Sequence, residues 1–124
     1  MARVFLDTNT FIDAVYRRPD VNRQFLNHRV CSSPLSAHIL FYALKLKVPN
    51  RILTLVLNQF EAIDLTALLL ANALTGPTAD LEDNIQLHSA AEGECDYFLT
   101  SDKKLLSMKF FGKTKIVNTL KTSG

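Results

Sequence analysis

The chain has 124 residues, 48% of them hydrophobic, which suits one ordinary domain with its own core and argues against disorder or a multidomain plan. A formal net charge of +2 is too small to signal nucleic acid by itself. The longest apolar stretches are interrupted by Ser36, His38, Asp64, Asn72 and two lysines, and the start shows no signal-peptide pattern, so no membrane span and a cytoplasmic location are expected.

In chain order, Val4 to Leu6 is a short buried strand that runs directly into Asp7, Thr8 and Asn9. Phe11 to Tyr16 and Val21 to His28 are helical material broken by Pro19, and Val30 to Ser32 is a second strand. Ser36 is placed to cap a helix that carries Ile39, Leu40, Ala43, Leu44 and Leu46 and stops at Val48 and Pro49. Such a helix, apolar nearly all round, is expected either in the centre or under another chain. Ile52 to Leu57 is a further helix, Phe60 to Leu65 a strand, and Thr66 caps the helix "ALLLANAL". After the loop "TGPTAD", Asp80 caps a helix from Leu81 to Glu92 that Gly93 ends. Tyr97 to Thr100 is a buried strand, Lys103 to Leu106 a short helix or turn, and Ile116 to Val117 the last strand. Strands alternating with helices predict a parallel α/β sandwich with right-handed crossovers. Cys31 and Cys95 lie far apart and outside any CxxC, so they are expected as reduced core residues.

Charge is distributed unevenly. Residues 80 to 102 hold seven acids and no Lys or Arg, whereas residues 103 to 124 hold six lysines and no acid. Two loosely paired solvated surfaces would explain this, as would an acidic pocket with a basic approach suited to a polyanionic substrate. In open α/β sheets, sites form beyond the carboxyl ends of the strands. Asp7 follows the first strand, Asp102 follows "YFLTS", and Asp83 lies in the first turn of the helix leading into that strand, so the three should share one edge. Two carboxylates about 4 Å apart repel by roughly 4 kcal/mol at an effective dielectric near 20, so they protonate or bind a cation. Mg²⁺ suits oxygen ligands and can activate water against a phosphodiester. Capping roles remain open for Asp7, Asp83 and Asp102, while Glu82 is expected as a solvated neighbour. His28, His38 and His88 have no ligand spacing.

With these residues in hand, "VFLDTNTFID", "DLEDNIQLHSA" and "CDYFLTSDKKL" together resemble the PIN domain in its small VapC-type toxin form, over about Arg3 to Val117. The resemblance implies a single PIN-like domain over residues 1–124, a three-layer sandwich with a parallel sheet flanked by helices. It also implies Mg²⁺ or Mn²⁺ at clustered acids and cleavage of RNA. Asp7, Asp83 and Asp102 match the family's acids, Asn9 and Thr100 its supporting polar residues, and Asp96 an acid that some members carry, although Asp96 starts its strand and so lies at the wrong end for the site unless the strand is very short. Toxin-like members further imply a cognate antitoxin and a homodimer, for which the apolar helix from Leu35 to Val48 is the surface in question. One feature departs from the family: its usual acid in the helix near Ser36 is absent, and by spacing from Ser36 Tyr42 takes that place. Two other readings stand beside this one. "DTNT" also looks like the nucleophile loop of haloacid-dehalogenase-type phosphatases, with Asn9 in place of the general acid. A catalytically degenerate PIN-like module that binds RNA or protein is the third.

Overall fold

A computed structural model describes residues 1–120. Lys121, last of the six lysines, lies outside the described residues. Six strands, β1 (Arg3–Leu6), β2 (Arg29–Ser32), β3 (Glu61–Ala62), β4 (Tyr97–Leu99), β5 (Phe110–Phe111) and β6 (Thr114–Val117), form one sheet in the order β3-β2-β1-β4-β6-β5. Every neighbouring pair is parallel except β5 and β6. The expected α/β sandwich with a parallel sheet flanked by helices is therefore what the chain builds.

Six α-helices accompany the sheet: α1 (Thr8–Ile12), α2 (Pro34–Ala43), α3 (Arg51–Leu57), α4 (Ala67–Ala73), α5 (Leu81–Glu92) and α6 (Lys103–Met108). Side-chain alternation along β1 explains the layers, because successive residues of a strand face opposite sides. Val4 and Leu6 pack with Phe11, Ile12, Leu40 and Leu53 on one face. Phe5 packs with Leu87, Ala90, Phe98 and Leu105 on the other. α1, α2 and α3 thus cover one side of the sheet, α5 and α6 the other, and α4 packs on α5. Phe5 and Phe98 stack across the two central strands with ring centroids 5.6 Å apart. Cys31 and Cys95 are buried and unbonded, as expected.

Several elements differ from the sequence expectation, each for a physical reason. The first helical region starts at Thr8, then widens to a π-helical turn over Asp13–Arg17 and a 3₁₀ stretch over Pro19–Phe25. α2 is capped by Ser33, whose Oγ accepts from the Leu35 amide at 3.1 Å, with Pro34 preset for the first turn. Ser36 lies inside the helix, fully buried, and the helix ends at Ala43, before the expected stop. β3 spans two residues because β2 offers it a partner only until Ser33 turns into α2. The hairpin of β5 and β6 turns on Gly112 and Lys113, with Gly112 at φ 59°. At Gly93 the reason for glycine is space: its φ is −78°, but a Cβ there would lie 2.7 Å from Ile63 Cδ1. Among the described residues no helix is long and apolar enough to cross a membrane.

Candidate active site

Asp7, Asp83 and Asp102 line one cleft. Asp7 extends β1, donating its amide to Leu99 O at 3.2 Å, and caps α1 by accepting from the Thr10 amide at 2.8 Å through Oδ1. Its Oδ2 accepts from the Thr100 hydroxyl, the residue that follows β4. Thr100 in turn accepts from the Asp102 amide at 3.0 Å, so one buried hydroxyl ties two of the acids together. Asp102 caps α6, its Oδ1 accepting from the Lys104 and Leu105 amides at 2.8 and 3.2 Å. Both structural readings weighed for Asp7 and Asp102 are thus correct as far as they go. Capping uses one carboxylate oxygen of each and leaves the side chains at the cleft.

Asp83 is brought to the same place by α5. Asp80 caps that helix, accepting from the Asp83 amide at 2.9 Å, and so leaves the Asp83 carboxylate free to face the edge of the sheet. A cleft of about 160 Å³ is lined by Asp7, Thr8, Asn9, Glu82, Asp83, Gln86, Ser101 and Asp102. Glu82, expected in solvent, also lines it, because the cleft lies against the first turn of α5, where neighbouring positions flank it from two sides. Larger depressions exist elsewhere. One of about 480 Å³ is lined by His28, Asp96 and Lys115, but no cluster of acids stands there.

Electrostatics marks the acid cleft as uncompensated. Burial, then repulsion from Asp80, Asp102, Glu82 and Asp7, pushes the Asp83 carboxyl up to about 6. Burial also raises Glu82, helped by Asp80 and Asp7, with Thr8 pulling the other way. Among the described residues, the only ion pairs are Arg3–Glu61, Arg29–Glu61 and Arg17–Asp13, so no basic side chain neutralises the cleft. The N-terminus of α5 supplies partial positive charge, which offsets the repulsion only in part. Among the same residues, no group of three or more His, Cys, Asp or Glu side chains is placed to hold a metal ion. The acids share a cleft without closing on a common point.

Beneath the acids lies a buried polar network that sequence reasoning missed. Gln86 Nε2 donates to the Thr8 hydroxyl and, at 3.2 Å, to Ser36 Oγ, while Thr8 and Ser36 hydroxyls are also 3.2 Å apart. All three residues are buried and all are satisfied. The network joins α1, α2 and α5 under the cleft, and Gln86, one turn beyond Glu82 and Asp83, was the available signal: a polar residue among apolar ones on an otherwise amphipathic helix.

Two expected members are elsewhere. Asp96 sits at the opposite end of β4, where its Oδ2 accepts from the Arg3 amide at 2.9 Å, so it secures the sheet and cannot reach the cleft. Tyr42 is 78% exposed, stacked loosely on His38, and borders a separate depression with Phe41 and Leu46. α2 contributes Ser36 to the buried network beneath the cleft, and Tyr42 lies away from the acids. Asn9 and Thr100 are where they were expected, one lining the cleft and the other holding Asp7.

A six-stranded, largely parallel sheet between helix layers, with acids gathered beyond the ends of β1 and β4, defines a PIN-like α/β sandwich. No family model matches the sequence. No curated protein matches it either. Among solved structures, the fold is similar to that of VapBC2 from Rickettsia felis bound to a DNA fragment from their promoter, with a TM-score of 0.67 and 17% identity over 94% of this chain and 98% of that chain. At that identity the likeness is one of fold.

Proposed function

We propose that the protein is a divalent-cation-dependent endoribonuclease and the toxin of a toxin–antitoxin pair. One observation supports this above the others: three carboxylates from remote segments line one cleft at the sheet edge, with no basic side chain paired to them among the described residues, and burial followed by repulsion from neighbouring acids pushes Asp83 up to about 6. The fold likeness to a VapBC2 structure points the same way.

Asp7, Asp83 and Asp102 would hold Mg²⁺ or Mn²⁺. Carboxylate oxygens are the donor type that such hard cations take, although among the described residues the acids do not close into a preformed three-ligand cage. When bound, such an ion polarises a phosphoryl oxygen and lowers the pKa of a coordinated water. The chain's own contribution is orientation. Thr100 fixes the Asp7 carboxylate, the α6 amides fix Asp102, and the Thr8–Ser36–Gln86 network braces α1 against α5, the elements next to Asp7 and bearing Asp83. Asn9 and Ser101 offer uncharged polar atoms at the cleft rim for a phosphate or its water.

An antitoxin and a second copy of the chain would have apolar surface to use, though little of it on α2. Large exposed apolar residues gather on α3 and the loop before it (Val48, Ile52, Leu55) and on and beside α4 (Leu65, Leu68, Leu74). The reading of a catalytically silent module draws on α2 bringing no acid to the cleft. The two are separated by incubating single-stranded RNA with the wild type and Asp7→Asn, with Mg²⁺ and with a chelator. The nuclease reading requires cleavage only by the wild type and only with the metal; equal cleavage by Asp7→Asn ends it, and no cleavage at all favours the silent module.

A further inference from the structure

The end of β1 and β4 away from the acid cleft holds a second set of converging groups. α6 packs on one face of the sheet through Leu105, together with Phe98 and Ile116. Tyr97, Lys115 and Val117 alternate to the opposite face, with Tyr97 and Lys115 as strand partners. A cavity of about 480 Å³ lies there, lined by these three residues and by His28, Asp96 and Leu120. Its volume is that of a small-molecule site.

The walls combine an apolar floor with donors that no protein group engages. Tyr97 and Val117 are half-buried and pack against the core that Leu120 helps to form. The Ala2 amide donates to His28 Nδ1 at 3.1 Å, so the neutral ring carries its own proton on Nε2. Among the described residues nothing accepts from that Nε2, and no acid lies within ion-pair distance of Lys115. Asp96 is close by, since its carbonyl accepts from the Lys115 amide at 3.0 Å, but its carboxylate takes the Arg3 amide instead, at 2.9 Å.

We propose that this cavity binds a small aromatic monocarboxylate, with the ring on Tyr97 and Val117 and the carboxylate held by Lys115 and His28. A flat apolar body suits the half-buried floor, and the unpaired ammonium selects an anion. Asp96 sets the upper limit on charge, because a dianion such as a phosphate monoester would face that carboxylate at close range. The site is separate from the acid cleft and does not depend on the ribonuclease reading. Because His28 and Asp96 hold the amides of Ala2 and Arg3, an occupied cavity also ties down the start of β1.

The test is calorimetric titration of naphthoate into the full chain, with naphthalenemethanol as the uncharged analogue and naphthyl phosphate as the dianion. Naphthoate should bind saturably and raise the melting temperature, and the other two should bind at least about 10-fold more weakly. Lys115→Ala should weaken naphthoate binding about 10-fold, as should His28→Asn, whose amide oxygen can still accept from Ala2. Asp96→Asn should narrow the gap between naphthoate and naphthyl phosphate, and Asp7→Asn should bind naphthoate as the wild type does. Thermal unfolding without ligand controls for folding, and Lys115→Arg, which keeps the charge, should retain most of the affinity. No saturable binding of naphthoate, equal binding of the alcohol, or undiminished binding by Lys115→Ala overturns the site. Tighter binding of naphthyl phosphate than of naphthoate overturns it in favour of a phosphate ligand, and loss of binding in Asp7→Asn overturns it by moving the ligand to the acid cleft.

Discussion

Removing the charge of Asp83 should stabilise the protein near neutral pH, although the residue is proposed as functional. In the fold its carboxyl is raised from 3.8 to about 6 by burial and by Asp80, Asp102, Glu82 and Asp7. A shift of about two units corresponds to roughly 3 kcal/mol, at 1.36 kcal/mol per unit. The side chain is partly exposed and faces water, so screening reduces the effective penalty to about 1 kcal/mol. Because the folded-state value is raised for an acid, the penalty is full above the folded pKa, shrinks as pH falls through it and vanishes below the unfolded value. Asp83→Asn should therefore raise the melting temperature by about 4 °C at pH 7.5, where 1 kcal/mol corresponds to a shift of that order for a domain of this size. At pH 4.5, below the folded value, the difference should be smaller. Thermal unfolding followed by circular dichroism at the two pH values decides it. A variant less stable than wild type at pH 7.5, or a difference independent of pH, would refute the account of the cleft as uncompensated charge.

Other substitutions test the supports of the site. Thr100→Val removes the donor to buried Asp7 Oδ2 and should cost about 1–3 kcal/mol in denaturant unfolding. Gly93→Ala places a Cβ against Ile63 Cδ1 and should cost about 1–3 kcal/mol, and the double variant with Ile63→Val should recover part of that loss in a double-mutant cycle. Tyr42→Glu should leave both RNA cleavage and stability unchanged to within about 0.5 kcal/mol, since the side chain is exposed and away from the acids. A gain of cleavage in that variant would mean that α2 reaches the site through Tyr42 after all.

The parts of this architecture legible in the sequence were those governed by local pattern. An apolar run ending in an acid marks β1 and Asp7, and again β4, Thr100 and Asp102; Asp80 and Thr66 cap their helices as their positions suggest. Short edge strands were less legible, because β3 and β5 each span two residues and exist only where a neighbour pairs with them. Ser36 looked like the cap of α2, but Ser33 takes that role, because packing buries Ser36 against Thr8 and Gln86. That network joins residues up to 78 positions apart, beyond the reach of any local rule. For Asp96 the local pattern was the better guide: the family resemblance offered it as a site acid, but its place at the start of the strand put it at the end away from the cleft, and there it sits.

The central claim is that the cleft binds a divalent cation through Asp7, Asp83 and Asp102. Calorimetric titration of Mn²⁺ into the wild type, Asp7→Asn and Asp102→Asn tests it without dependence on any substrate. Saturable binding by the wild type, lost or strongly weakened in both variants while their folds are retained, is the predicted result; no binding by the wild type, or equal binding by all three proteins, would contradict it.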